Sequence, residues 1–189
     1  MKVYFTASLR GKEEFGIYYS RVVKHLEFLG YKMTSEHVFE NDPKTIATQE
    51  KLQALKNYHH LVSMMKKADI FVAEVSTQSI SVGHEITEAM TMGKPVIVLY
   101  LGNRRPSMLF GSVYGKLQMI QYDENNIEEL LDRAMEEAKK NMDVRFNFFV
   151  SPKILNYLDW VAQKRMIPRS VFLRNLIERE MKKDKEFKE

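Results

Sequence analysis

The sequence predicts an α/β protein: a doubly wound, five-stranded parallel sheet followed by a small strand–helix–helix module. Three observations carry this. Nearly unbroken apolar runs, such as residues 70–75 and 96–101, recur between amphipathic segments; such runs mark strands buried on both faces, as in a parallel sheet. Strand and helix patterns alternate as far as residue 140, which is what crossover βαβ units require. The charge then shifts. Residues 1–142 hold 18 Lys+Arg against 18 Asp+Glu, whereas residues 143–189 hold 11 against 7. That shift predicts two domains, 1–141 and 142–189, the second suited to an anionic partner.

Taken in order, Lys2–Thr6 reads as the first strand, ending in the turn Ala7-Ser8-Leu9-Arg10-Gly11. Glu13–Leu29 is predicted to be a helix with Ile17, Val22, Leu26 and Leu29 inside, stopped by Gly30. Tyr31–Thr34 is a short strand, followed by Glu36-His37-Val38 and a loop with Asn41, Asp42 and Pro43. Gln49–Lys67 is a helix with Leu52, Leu55, Leu61 and Met64 or Met65 on its inner side. The run 70–75 is the central strand, interrupted only by Glu74, and a helix starts near Val82 and ends at Gly93. Val96–Leu101, Leu117–Tyr122 and Ile127–Lys140 complete the pattern as strand, strand and helix.

Composition narrows the function. A hydrophobic content of 44% and a charged content of 29% are globular values. The absence of cysteine excludes disulfide and thiolate chemistry, and five histidines without cysteine do not suggest a structural zinc site. No apolar run approaches the ~20 residues that cross a bilayer, and Met1–Phe5 enters a strand rather than a signal peptide. A cytoplasmic protein without a membrane partner, metal or other cofactor is expected.

The chemistry concentrates at strand ends. In open parallel sheets, ligands bind beyond the carboxyl ends of the strands. Ser79 and Ser81 precede Gly83-His84-Glu85 where the central helix opens. Serines and amide groups there can hold an anion, with Glu85 on the first turn facing it. The same residues can instead cap the helix and complement its dipole. Ser8, Arg10 and Gly11 form a comparable small turn after the first strand, a plausible phosphate cradle.

These stretches resemble the nucleoside 2-deoxyribosyltransferase superfamily, most closely its 2'-deoxynucleoside 5'-phosphate N-hydrolase branch. That branch has Tyr-Phe-x-Gly-Ser-Ile-Arg-Gly where this chain has Tyr4 to Gly11. It has Glu-His-Val at residues 36–38, and Ala-Glu-Val followed by Ser-Leu-Gly-Val-Gly-Tyr-Glu at residues 73–85. The resemblance covers roughly residues 2–138. It implies an N-glycosidase or deoxyribosyltransferase acting on a nucleotide or nucleoside, with Glu85 as nucleophile. Tyr4, Ser8, Arg10, Gly11, Ser79, Ser81 and Gly83 would bind substrate. Ser107 would match a family serine that reaches the neighbouring subunit's phosphate, which implies a homodimer. One position departs. The aspartate that assists the leaving base falls on Leu61 here. Either His60 takes the acid role, since histidine titrates near working pH, or the domain is a weak or inactive relative.

Residues 143–189 resemble a ribbon-helix-helix module. Val144–Val150 is β-rich, Ser151-Pro152 opens a helix as N-cap and first residue, and Arg169 starts a second helix after Ile167-Pro168. Ile154, Leu155, Leu158, Val161 and Ala162 form an apolar stripe. A lone strand needs a partner. The module therefore predicts pairing of two chains, with Phe146, Phe148 and Val150 inward and Arg145, Asn147 and Phe149 outward. Arg145 and Asn147 suit base reading in duplex DNA; a dimerisation clip without DNA is the alternative. A nucleotide-sensing DNA-binding regulator is accordingly the second function expected.

Overall fold

The structure is a computed structural model that describes residues 1–42, 50–112, 114–142, 148–184 and 186. It divides into two compact units, Met1–Val144 and Arg145–Glu189.

In the first unit, strands β1 (Lys2–Ala7), β2 (Lys32–Thr34), β3 (Ile70–Glu74), β4 (Val96–Leu101) and β5 (Leu117–Tyr122) form one sheet in the order β2-β1-β3-β4-β5. Every pairing is parallel. The predicted doubly wound fold is therefore present. Helices α1 (Lys12–Phe28), α2 (Glu36–Phe39), α3 (Lys51–Lys67), α4 (Ile80–Thr91), α5 (Ser107–Phe110) and α6 (Ile127–Lys140) flank it.

Alternation along the strands divides the core in two. Val3, Phe5, Ile70, Val72, Ile97 and Leu99 pack against α1 and α6. Tyr4, Phe71, Ala73, Val96 and Val98 pack against α3 and α4. The crossover direction reverses between β1 and β3, which is where a doubly wound sheet opens its ligand crevice.

Two predicted helix faces are corrected. Ile17 is 68% exposed and Leu29 also faces out, while Phe15, Tyr19, Val22, Val23 and Leu26 are buried. At 100° per residue Ile17 stands nearly opposite both Phe15 and Tyr19, so the aromatic residues set the buried stripe. On α3, Leu52 and Leu55 are exposed and Met65 alone is fully buried; only the C-terminal half of this helix meets the sheet.

In the second unit, α7 (Pro152–Arg165) begins as predicted, with the Ser151 hydroxyl accepting from the Ile154 N–H. It stops at Met166, whose φ of 52° is left-handed. Helix α8 is Arg169–Met181. Leu158, Val161 and Phe172 are the buried core. Ile154 and Leu155, expected inside, are exposed. Of the predicted strand, residues 144–147 lie outside the described residues, and 148–150 carry no strand. Phe148, expected to face inward, is exposed, as is Phe149: the described residues of this unit contain no strand for the segment to pair with.

Candidate active site

Glu85 is the buried carboxylate at the crevice. Helix α4 starts at Ile80, two residues earlier than expected, so Glu85 stands on its second turn rather than its first. A helix-dipole role is thereby weakened, because the dipole's effect fades beyond the first turn. The side chain points back over the end of β1, on the face that carries Tyr4 and Thr6. The Tyr4 hydroxyl donates to Glu85 Oε2 at 2.8 Å, and the Thr6 hydroxyl also hydrogen-bonds the carboxylate. Glu85 is 9% exposed; Tyr4 and Thr6 are essentially buried.

Burial pushes the Glu85 carboxyl above the usual carboxylate range, and the Tyr4 and Thr6 hydroxyls pull it back. Burial, together with the negative charge of Glu85, raises Tyr4 so that its hydroxyl remains a donor. The Tyr4 ring is clamped between His37, with centroids 4.9 Å apart, and Phe71, 5.2 Å away. Both His37 ring nitrogens are buried without a hydrogen-bond partner among the described residues. Burial lowers the His37 pKa to about 4, so this imidazole is neutral at physiological pH.

Beyond His37, a groove of about 520 Å³ runs beside β2 and α3, lined by His37, His60, Thr34, Asn41 and Met64 among others. His60 is exposed on its rim. Glu85 does not line this groove; the His37–Tyr4 stack links the two.

The turn after β1 is the other wall of the crevice. Ser8 is 2% exposed, and its carbonyl accepts from the Gly11 N–H at 3.0 Å and from the Tyr19 hydroxyl at 3.2 Å. Arg10 is exposed on the short 3-10 turn Leu9–Gly11. On the β3–α4 turn the Ser79 hydroxyl accepts from the Val82 N–H at 3.4 Å, so it caps the helix. Ser81 is exposed and Gly83 half-buried. Ser107 opens the short α5 beyond β4 and is exposed. Arg145 and Asn147 lie outside the described residues. Thr6 went unnoticed in the sequence; its signal was alternation, since it shares a strand face with Tyr4.

These features define a doubly wound α/β protein with a buried, hydroxyl-supported carboxylate at its strand-end crevice. No protein-family model matches the chain. It is 31% identical over 138 residues to the 5-hydroxymethyl-dUMP N-hydrolase of Rattus norvegicus, covering 71% of this chain and 84% of the rat protein. It is 30% identical over 145 residues to the Danio rerio protein of the same name, covering 75% of this chain and all of that one. A solved CMP N-glycosidase of Clostridium botulinum superposes with a TM-score of 0.49 at 19% identity, over 72% of this chain and 98% of that one. The chain belongs to the 2'-deoxynucleoside 5'-phosphate N-hydrolase family, a branch of the nucleoside 2-deoxyribosyltransferase superfamily.

Proposed function

We propose that the protein cleaves the N-glycosidic bond of a (deoxy)nucleoside 5'-monophosphate, with Glu85 as nucleophile. The observation that carries this is the Tyr4–Glu85 hydrogen bond of 2.8 Å inside a buried crevice. One Glu85 oxygen attacks the anomeric carbon while the C–N electron pair leaves with the base. The product is a glycosyl ester on Glu85. Water then adds at the anomeric carbon, losing a proton, and returns the carboxylate; a second base in place of water gives transfer. This is the retaining logic of glycosidases applied to a C–N bond. Ser8, Arg10, Gly11, Ser79, Ser81 and Gly83 border the turns that would hold the 5'-phosphate, with Ser107 added by a second subunit. His60, on the groove that His37 also lines, would protonate the departing base. The test is base release from a panel of deoxynucleotides, deoxynucleosides and ribonucleotides.

Tyr4→Phe is expected to lower kcat by roughly 10–100-fold, the scale of losing one hydrogen bond to a charged group. The sign of its pH effect follows from the geometry. The Tyr4 hydroxyl lowers the Glu85 pKa, so its loss raises that pKa. Because the reaction needs the carboxylate, the acid limb of the pH–rate profile moves to higher pH. An unshifted limb would contradict Tyr4 support of the nucleophile.

A second reading concerns residues 143–189. Ile154, Leu155, Tyr157, Trp160, Leu176 and Ile177 are all exposed on a unit with three buried core residues among those described. So small a core is marginal alone, which favours pairing with a second copy and hence a homodimer. In Ile154→Asp, the dimer dissociation constant measured by sedimentation equilibrium should rise by roughly tenfold or more. If the paired modules bind duplex DNA through Arg145 and Asn147, affinity should fall steeply with added salt. Nucleotide binding without base release, combined with such DNA binding, would favour the regulator over the enzyme.

A further inference from the structure

A second buried carboxylate lies on the other face of the sheet. Glu74, the last residue of β3, is 0% exposed. Its Oε1 accepts from the Ser76 N–H at 3.1 Å, from the Ser76 hydroxyl, and from the Tyr122 hydroxyl at 3.0 Å. Its Oε2 is buried without a partner among the described residues. Ser76 Oγ in turn accepts from the Leu101 N–H at 2.7 Å, which ties the end of β3 to the end of β4. Tyr19, from α1, sits beside the carboxylate, and its hydroxyl donates to the Ser8 carbonyl.

The β1–α1 turn is pressed directly onto this cluster. A Cβ at Gly11 would lie 2.3 Å from Thr77 Oγ1 and 2.6 Å from the Tyr19 hydroxyl oxygen. One buried carboxylate thus joins the ends of β3, β4 and β5 and, through Tyr19, the turn after β1. Burying such a group is costly, and leaving one of its oxygens unpaired adds to that cost. An apolar residue would fill the space without either penalty, but it could not hold Ser76, Tyr122 and Tyr19 in fixed relation.

We propose that Glu74 is a positioning residue that sets the separation between the Ser8–Gly11 turn and the Ser76–Ser79 turn, and thereby the grip on the substrate's 5'-phosphate. This rests on the reading that those turns hold a phosphate. Burial raises the Glu74 carboxyl above the usual range, against the hydrogen bonds from Ser76 and Tyr122. A glutamine keeps the accepting oxygen and is therefore the conservative replacement.

The test compares kcat/KM for a deoxynucleoside 5'-monophosphate with that for the same deoxynucleoside, in the full chain. A role in stability alone would treat the two substrates alike. In Glu74→Leu the ratio should fall by about tenfold or more, mostly through KM of the phosphorylated substrate, as small misplacements of binding groups do. Glu74→Gln should stay near wild type and Tyr122→Phe should fall between. An unchanged ratio in Glu74→Leu and Tyr122→Phe would overturn the proposal. If Glu74→Leu does not fold, Tyr122→Phe decides alone: a lowered ratio supports the proposal and an unchanged one overturns it. If the wild-type protein releases no base from either substrate, the hydrolase reading has failed. Calorimetric dissociation constants for the two ligands then decide in the same way.

Discussion

Glu85→Gln should lower base release by ~10⁴-fold or more, the scale seen when a covalent nucleophile is removed. Glutamine is nearly isosteric, and its carbonyl can still accept from Tyr4 and Thr6, so substrate binding should persist. A carboxamide cannot form and release the glycosyl ester. The fold should not suffer. Because burial raises the Glu85 pKa in the folded state, folding favours the protonated form. Stability from this group is present below its unfolded pKa and is lost as pH rises through the folded pKa. At neutral pH the ionised carboxylate therefore costs stability, and Glu85→Gln should unfold at the same or a higher temperature than wild type. Such a trade of stability for activity is common at active sites. Calorimetric melting beside a base-release assay checks both halves. Retained release in Glu85→Gln would remove the nucleophile from this carboxylate.

Gly11→Ala should raise KM for nucleotides by roughly 100-fold, the scale of a 1 Å misplacement in a binding site. The reason is space rather than backbone freedom. Gly11 has a φ of −83°, which alanine adopts readily. Its added methyl, however, would meet Thr77 Oγ1 at 2.3 Å, the Tyr19 hydroxyl oxygen at 2.6 Å and Thr77 Cβ at 2.8 Å. The turn must move off the β3–α4 turn, carrying Ser8 and Arg10 with it. Overpacking of this kind costs about 1–3 kcal/mol of stability. Removing the obstructing side chain with Thr77→Gly should recover part of both losses. Unchanged KM and melting temperature in Gly11→Ala would show that the two turns are not held in this contact.

The sheet was readable from one dimension because a parallel strand is buried on both faces and must be apolar along its length. The strands at Val96–Leu101 and Leu117–Tyr122 and the helix at Ile127–Lys140 stand where periodicity put them. Helix faces were harder to read. On α1 the sequence offered Ile17 and Leu29 as easily as Phe15 and Tyr19, and packing against Phe5 chose the aromatics. On α3 the exposed Leu52 and Leu55 follow helical spacing as well as Met65 does; only contact with the sheet separates them.

For the site, strand-end serines and Glu85 were visible as local chemistry, and resemblance supplied their expected roles. The residues that act on Glu85 were not visible as a set. Tyr4 is 81 positions away in sequence, and the Glu74 cluster draws on α1, β3, β4 and β5. Local composition determined the elements, their order and the doubly wound class, because apolar periodicity and turn residues act over a few neighbours. Which hydroxyl meets which carboxylate was decided only by tertiary structure, because strand register and sheet order bring together groups that no local pattern relates.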